Sequence, residues 1–471
     1  MAKCSTVNYS LICSHSGRID AEYYKTESLQ AYDYVKESKF KLLGQLIKEG
    51  YRVVYENTNI LRPDKVDEQR DVRFLQATNV SEDGLWVEVR DIGFVSGKDW
   101  QKYPKGRIKH GELLIEVKGQ AEKVTIVQDY IPMRTLVTGT LYKLIVNENI
   151  VSPEYIYAYF SCKYGKILRD RTKVNTLISY VSKPELYNIP VPIFEDHIDE
   201  ITNLIKESYR HSIYSHHLYN QAEALLAYEL QLDKLKLPCK KWYSANYSEV
   251  LESKRLDPSH YRDAYSVLFE FLNSRFICKK IGEIVIVNRR GLQPIYSDKG
   301  NVMVVNSKHL SQTHINYDQT EKTTIEEFSK QSVAQIKDGD VLIYTTGAYI
   351  GLTNAFNSQE KALASNHVNI LRLSDNTIDP NYLALVLNSV VGKLQTEKHS
   401  RGSAQLELYP ADIAKFFIPV IDEGLMRKIG ELVRKSLASL NQSKQLLAQA
   451  KYRVEELIEQ EANKQKSWAK Q

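Results

Sequence analysis

The chain contains one unit twice, with its features in the same order. Residues 18–24 and 255–261 both read Arg-x-Asp-x-x-x-Tyr, at an offset of 237 residues (255 − 18). Residues 109–115 and 337–343 share Lys, Gly, an acid and a Leu-Ile ending, at an offset of 228 (339 − 111). The later matches of the series are residues 152–155 with 379–382, Gly165 with Gly392, and residues 189–191 with 418–420. An ordered series with a slowly drifting offset predicts an internal repeat.

A long helical pattern follows each copy. From Ile429 the apolar and small residues alternate in steps of four and three, which is the seam of a coiled coil. Shifting back by 228 residues gives a second seam, in which Ser208 and Ser215 coincide with Ser436 and Ser443. We expect the two helices to pack antiparallel; the alternative is two unrelated amphipathic helices on separate cores. The larger seam residues are Ile201, Ile205, Tyr219, Leu226, Ile429, Val433, Leu440, Leu447 and Val454.

The globular parts carry a mixed pattern of strands and helices. Short β-branched runs at 113–117, 281–287 and 341–344 predict strands. Residues 155–166 and 382–393 predict helices, each with proline near its first turn. The expected fold class is α/β (α+β), with a pseudo-twofold internal repeat.

Composition restricts the class of protein further. The 471 residues are 43% hydrophobic, and no apolar run approaches 18 residues, so we expect no membrane span. Five scattered cysteines, with no pair at metal-ligand spacing, favour a reducing, cytoplasmic location. The net charge of +5 permits a nucleic-acid partner without requiring one.

This order of features resembles the DNA-specificity subunit of type I restriction–modification systems. The resemblance is carried by the two Arg-x-Asp-x-x-x-Tyr openings, by residues 339–351, by residues 380–383 with 401–405, and by Ile-Pro-Val before each long helix. It covers the whole chain and is sharper in the second half. The first half departs from the pattern at residues 118–122 and 172–175.

The resemblance implies two target-recognition domains, at 1–195 and 255–420. Spacer helices at 196–236 and 421–466 and a linker at 237–254 would complete the chain. Each domain would read one half of an asymmetric bipartite site in double-stranded DNA. The helices would dock two methyltransferase subunits, and restriction (translocase) subunits would join them. We expect no cofactor in this chain, because S-adenosylmethionine, ATP and Mg²⁺ would belong to the partner subunits. A related, type IIB-like restriction system is the alternative.

Candidate DNA contacts are cations, amides and hydroxyls in predicted loops, since these groups bind phosphates and base edges. Residues 288–291 are expected to form a turn, and residues 399–405 are the preferred cluster. The complete set is Arg169, Arg171, Lys173, Asn175, Arg289, Arg290, Lys308, His309, Thr346, Tyr349, Arg401, Ser403 and Gln405.

Two rival classes of function stay open at this point. Glu116-Val117-Lys118 resembles the acid-x-Lys strand of metal-dependent nucleases. The matching positions Tyr344 and Thr346 in the second copy lack that chemistry, which disfavours an enzyme. A methyltransferase would need an Asn/Asp-Pro-Pro-aromatic motif, and an ATPase would need a Gly-Lys-Ser/Thr loop; neither motif is present. A scaffold that joins proteins without binding DNA is the third class, and no metal site is expected.

Overall fold

Short β-branched runs form strands in both halves of the chain, as the sequence predicts. The computed structural model describes residues 7, 9–14, 18–174, 179–238, 242, 244–402 and 405–468. The chain divides into two compact units, unit 1 (Met1–Ile213 with Ser439–Gln471) and unit 2 (Tyr214–Ala438). No helix among the described residues is long and apolar enough to cross a membrane.

Among its described residues, unit 1 contains two main sheets and six helices of its own. The strands are β1 (Phe40–Leu42), β2 (Ile47–Tyr51), β3 (Val72–Leu75), β4 (Phe94–Val95), β5 (Leu113–Glu116), β6 (Lys118–Gly119), β7 (Val124–Ile126), β8 (Thr135–Val137), β9 (Leu141–Val146), β10 (Ser179–Tyr180) and β11 (Pro190–Pro192). The helices are α1 (Tyr9–Ser14), α2 (Thr26–Lys36), α3 (Gly97–Lys102), α4 (Pro153–Ser161), α5 (Lys163–Thr172) and α6 (Lys183–Tyr187), followed by α7 (Ile198–Glu229), which both units share.

Unit 2 repeats this plan. Its strands are β12 (Ile277–Lys280), β13 (Val285–Arg290), β14 (Val302–Val305), β15 (Glu321–Thr323), β16 (Gln335–Ile336), β17 (Val341–Tyr344), β18 (Thr353–Ala355), β19 (Ala362–Ala364), β20 (Val368–Leu373) and β21 (Phe417–Val420). Its helices are α8 (Tyr247–Ser253), α9 (Asp263–Asn273), α10 (Ile281–Ile284), α11 (Ile325–Lys330), α12 (Pro380–Asn388), α13 (Val390–His399) and α14 (Pro410–Ile413), and the chain continues into the shared α15 (Glu423–Trp468).

The two units have corresponding sheet topologies. The order β2-β9-β5-β7 in unit 1 corresponds to β13-β20-β17-β18 in unit 2, and all neighbours are antiparallel. The parallel pair β3–β8 corresponds to the parallel pair β14–β19, and β1–β11 corresponds to β12–β21. The predicted fold class, α/β (α+β) with an internal repeat, is confirmed.

Each predicted helix near the middle of a unit is interrupted. The helix predicted at 155–166 is the pair α4 and α5, and the one predicted at 382–393 is the pair α12 and α13. The second helix of each pair begins so close to the first that Gly165 and Gly392 must lack a side chain. A Cβ on Gly165 would lie 1.9 Å from the Tyr159 carbonyl oxygen, and a Cβ on Gly392 would lie 2.0 Å from the Leu387 carbonyl oxygen. These close approaches explain why glycine recurs in the repeat.

Two details of the sequence interpretation were wrong. The single strand predicted at 281–287 is the short helix α10 followed by β13, because Ile281 and Ile284 are buried three residues apart, at helical spacing. The match of residues 189–191 with 418–420 was out of register. The Tyr155 hydroxyl donates to the Pro192 carbonyl (2.9 Å), whereas the Tyr382 hydroxyl donates to that of Pro419 (2.7 Å). Residues 191–193 therefore correspond to 418–420.

The long helices belong to both units. Their lengths of 32 and 46 residues correspond to about 48 and 69 Å. In unit 1, Ile201 and Ile205 share a core with Leu447 and Val454. In unit 2, the core members from the helices are Tyr219, Ala222, Leu226, Met426, Ile429 and Val433. Apart from the half-buried Leu440, the predicted seam side chains are buried within their own unit, so they do not form a surface for another protein.

Serine side chains bring the helix segments close together within each unit. In unit 1, the Ser208 hydroxyl donates to the Ser443 carbonyl (2.8 Å) and the Ser443 hydroxyl donates to the Ser208 carbonyl (2.7 Å). The next contact, from the Ser439 hydroxyl to the His211 carbonyl, shows that these segments run antiparallel. In unit 2, the Ser436 hydroxyl donates to the Ser215 carbonyl (2.8 Å). The antiparallel pairing predicted from the small seam residues is confirmed within each unit.

We expect Ser443→Leu to destabilise unit 1. The Ser443 side chain is fully buried between two backbones, and forcing a larger side chain into a packed site costs about 1–3 kcal/mol. Urea unfolding measures the loss, with Gln445→Leu at an exposed position of the same helix as the control. Equal stability of the two variants would contradict this close packing.

Candidate nucleic-acid interface

Four segments of unit 2 converge at one end of the sheet that contains β17. They are residues 290–292, 345–349, 365–367 and 401–409, and we call them the unit 2 loop face; residues 403 and 404 lie outside the described residues. Leu408 N–H donates to the Thr345 carbonyl (2.9 Å), and Thr345 N–H donates to the His367 carbonyl (3.0 Å). The Arg290 guanidinium donates to the Leu408 carbonyl (3.0 Å). Hydrogen bonds to backbone carbonyls, two from backbone N–H groups and one from the Arg290 side chain, therefore hold the four segments together.

The opening motif of the repeat positions the hairpin of this face. The Arg255 guanidinium pairs with Asp257 and donates to the carbonyls of His399 (3.1 Å) and Ser400 (2.6 Å). These are the residues just before Arg401, where the hairpin closes through reciprocal backbone bonds with Glu407 (2.8 and 2.7 Å). Arg18 in unit 1 makes the same contacts with Asp20 and with the carbonyls of Thr172 and Lys173. The Arg-x-Asp motif thus anchors a loop in each unit.

The cations of the unit 2 loop face are paired with acids. Arg401 and Lys415 both contact the Asp412 carboxylate (2.9 Å each). Burial opposes ionisation of Asp412, but these two pairs outweigh it and lower its pKa. Arg290 lies 3.6 Å from Glu407 and 4.9 Å from the centre of the Tyr409 ring. Hydrogen bonding from Tyr409 and the charge of Arg290 lower the pKa of Glu407. The face therefore presents charged groups of both signs.

Several predicted contact residues meet on this face. The members of the sequence-based set that it includes are Arg290, Thr346, Tyr349, Arg401 and Gln405. Tyr349 is 68% exposed, whereas Thr346 is buried. Ser403 lies outside the described residues. The turn predicted at 288–291 was wrong, because Asn288, Arg289 and Arg290 are part of β13, paired with β20.

Lys308 and His309 lie elsewhere, in the turn after β14. His309 is fully buried, and its Nδ1 accepts the Asn306 N–H (2.9 Å). Burial lowers its pKa. Asn79 has the same structural role in unit 1, where its side-chain oxygen accepts the Gln76 N–H. The prediction that His309 contacts DNA is therefore wrong, because the turn uses its side chain; Lys308 is exposed and paired with Glu321.

Unit 1 contains an equivalent face, formed by residues 52–53, 117–119, 138–140 and the hairpin 174–180. Residues 175–178 of this hairpin, including the predicted contact Asn175, lie outside the described residues. Its bridges Lys118↔Tyr180 and Val174↔Tyr180 correspond to Thr346↔Glu407 and Arg401↔Glu407. We call this the unit 1 loop face. Arg52 lies 5.1 Å from the centre of the Tyr180 ring. The sequence interpretation missed Arg52, although its offset from Arg290 (290 − 52 = 238) nearly equals that of the Arg-x-Asp motifs.

Two of the cations predicted in unit 1 are buried inside it, and the third is paired with an acid. Arg169 and Arg171 are buried in α5, and burial lowers the pKa of Arg169 to about 10. The Arg171 guanidinium donates to the Tyr23 carbonyl (3.0 Å) and stacks on the Tyr23 ring, 4.1 Å from its centre. Lys173 pairs with Asp170 (2.7 Å). The prediction that Arg169 and Arg171 contact DNA is wrong, because their guanidinium groups are packed inside the unit.

Glu116, the acid of the nuclease-like motif, also has a structural partner. Its carboxylate is buried and accepts the backbone N–H groups of Glu122 (3.0 Å) and Lys123 (3.2 Å). Across the described residues, no three His, Cys, Asp or Glu side chains are grouped to hold a metal ion. Glu116 therefore stabilises the turn after β5, and no specific observation favours a nuclease.

The fold and the paired loop faces define a chain made of two related α/β domains with shared long helices. The family model described as type I restriction modification DNA specificity domain matches residues 274–422, which lie in unit 2. This segment matches that family model, and the resemblance to type I specificity subunits predicted from the sequence is confirmed. A comparison with curated proteins finds no match.

Solved structures with a similar chain include two specificity subunits. The S subunit of a type I restriction–modification system from M. genitalium is 13% identical, with 90% of this chain and 95% of that chain covered and a TM-score of 0.44. The HsdS subunit from Thermoanaerobacter tengcongensis is 13% identical, with the same coverage and a TM-score of 0.27.

We expect Arg290→Ala to weaken DNA binding and to reduce its salt dependence. Losing one phosphate contact lowers the slope of log affinity against log salt by about 1. Dissociation constants measured over a series of KCl concentrations give this slope, and Arg275→Ala, an exposed arginine of the same unit outside the loop face, is the matched control. An unchanged slope for Arg290→Ala would place Arg290 outside the phosphate contacts.

Proposed function

We propose that this chain is the sequence-specific DNA-binding subunit of a type I restriction–modification complex and performs no catalytic step itself. The loop faces of units 1 and 2 each read one half of a bipartite site in double-stranded DNA. The chain directs two methyltransferase subunits and restriction (translocase) subunits to that site. S-adenosylmethionine, ATP and Mg²⁺ serve those partners.

The observation that carries this proposal is the same loop face built twice with different side chains. Equivalent backbone bridges support both hairpins, but Arg401 and Glu407 of unit 2 correspond to Val174 and Tyr180 of unit 1. Base edges are distinguished by the donors and acceptors that meet them. Two loop faces with equivalent backbone bridges but different side chains therefore favour two different half-sites and an asymmetric target.

Partner subunits would dock on the outer faces of the long helices, because the seam side chains are buried. In unit 1, the outer surface of the helices carries a shallow groove of about 500 Å³ lined by Glu200, Leu204, Glu207, Tyr452 and Arg453. Tyr452 is 67% exposed and Arg453 pairs with Glu200 (3.3 Å). An aromatic side chain with charged neighbours is typical of a protein interface.

The test is to co-express the chain with the methyltransferase subunit encoded nearby and to map methylated bases across the genome. We expect a bipartite motif, of which only one half changes when residues 255–420 are exchanged for those of another specificity domain. The exchange of residues 1–195 is the matched control and is expected to change the other half. Unchanged methylation after both exchanges would refute the proposal. Cleavage on both sides of the site would instead indicate a type IIB-like system.

A further inference from the structure

The turn between β17 and β18 begins within the unit 2 loop face and is held at both ends by backbone hydrogen bonds. At its start, Gly347 N–H donates to the Leu406 carbonyl of the hairpin (3.0 Å). At its end, Gly351 N–H donates to the Tyr344 carbonyl, and Tyr344 N–H donates to the Leu352 carbonyl (2.8 Å each). These bonds fix the backbone of the turn, as precise recognition by one of its side chains requires.

Two glycines allow this turn to close tightly. Gly347 and Gly351 have φ values of +121° and +92°, a region that residues with side chains rarely adopt. A Cβ on Gly351 would also lie 2.8 Å from the Thr396 side chain. Between the two glycines, the Tyr349 carbonyl accepts the Leu352 N–H (3.2 Å). The turn therefore holds the backbone of Tyr349 at a defined position on the face.

Tyr349 is the large apolar side chain that the described part of this face exposes most. It is 68% exposed, whereas the other exposed members, Leu292, Leu406 and Tyr409, have values of 41–44%. The Tyr409 ring is also covered by the Arg290 guanidinium, 4.9 Å from its centre. Tyrosine joins a flat apolar ring to a polar tip, so it can bury the ring against a partner while the hydroxyl stays in water. Tyr349 is therefore the side chain of the face best placed to bury apolar surface against another molecule.

The corresponding turn of unit 1, between β5 and β7, has a different surface. Ile115 pairs with Val124 beside this turn, as Ile343 pairs with Thr353 in unit 2. The apolar residue of the unit 1 turn, Ala121, is fully buried. The exposed residues of the turn are Lys118, Gly119, Gln120 and Glu122. The two loop faces therefore differ at this turn, which exposes an aromatic ring in unit 2 and mainly polar groups in unit 1.

An exposed aromatic ring on a face that reads DNA requires an apolar partner. The C5 methyl of thymine is the apolar group that base edges present in the major groove. We propose that the ring of Tyr349 contacts the methyl group of a thymine in the half-site bound by unit 2, an inference that rests on the proposed function. Burial of one such methyl group strengthens binding by about fourfold. The polar turn of unit 1 offers no equivalent contact, so Tyr349 affects one half-site alone.

The experiment uses the complex of the full chain with its methyltransferase and duplexes that carry the motif selected by the unaltered complex. Each thymine of the unit 2 half-site, assigned by the exchange of residues 255–420, is replaced in turn by deoxyuridine, which lacks only the methyl group. We expect one replacement to raise the dissociation constant by about fourfold. Tyr349→Ala is expected to abolish this difference, whereas Tyr349→Phe, which keeps the ring, is expected to retain it. Tyr247→Ala, at an exposed tyrosine of unit 2 outside the loop face, is the matched control.

The possible outcomes separate this inference from the proposed function. A unit 2 half-site without thymine, equal binding of every deoxyuridine duplex, or a difference that persists in Tyr349→Ala overturns the thymine contact. Loss of the difference in Tyr349→Phe overturns it as well, because the hydroxyl would then be responsible. In each of these cases a bipartite motif for the unaltered complex retains the proposed function. Absence of any motif for the unaltered complex overturns both, and a difference that only Tyr349→Ala abolishes supports both.

Discussion

The architecture depends on the close contact of the long helices at their serines. Ser208 and Ser443 in unit 1 each donate to the carbonyl of the other, and Ser436 in unit 2 donates to the Ser215 carbonyl, so the backbones approach without a large side chain between them. The larger seam residues on either side then pack into the globular cores. Each unit is consequently completed by a segment from the other half of the chain.

The second constraint is the anchoring of the hairpin in each loop face by a largely buried arginine. Arg18 and Arg255 lie far from the hairpins in sequence. Each donates hydrogen bonds to the two backbone carbonyls that come directly before the hairpin of its own unit. Hydrogen bonds from a charged group contribute more than neutral ones. A fixed base allows the side chains of the hairpin to differ between the units while the scaffold stays the same.

Sequence patterns predicted the repeat, the fold class and the antiparallel helix segments, because glycine spacing and seam serines reflect close backbone contacts. They failed where a side chain's environment depends on distant residues. Arg169 and Arg171 have the composition of a DNA contact, but Tyr23 and the rest of unit 1 enclose them. His309 was misassigned because its side chain accepts a backbone N–H within its own turn. Asn79 does the same in the corresponding turn of unit 1. Arg52 could have been found from the repeat offset alone.

The central claim is that two unlike loop faces read two unlike half-sites. Selection of bound duplexes from a fully random library by the purified complex, followed by sequencing, tests it most directly. The account predicts two separated, specific sequence blocks that differ from each other, with a spacer of fixed length that shows no preference. A single uninterrupted block, two identical blocks, or no enrichment over the starting library would contradict it.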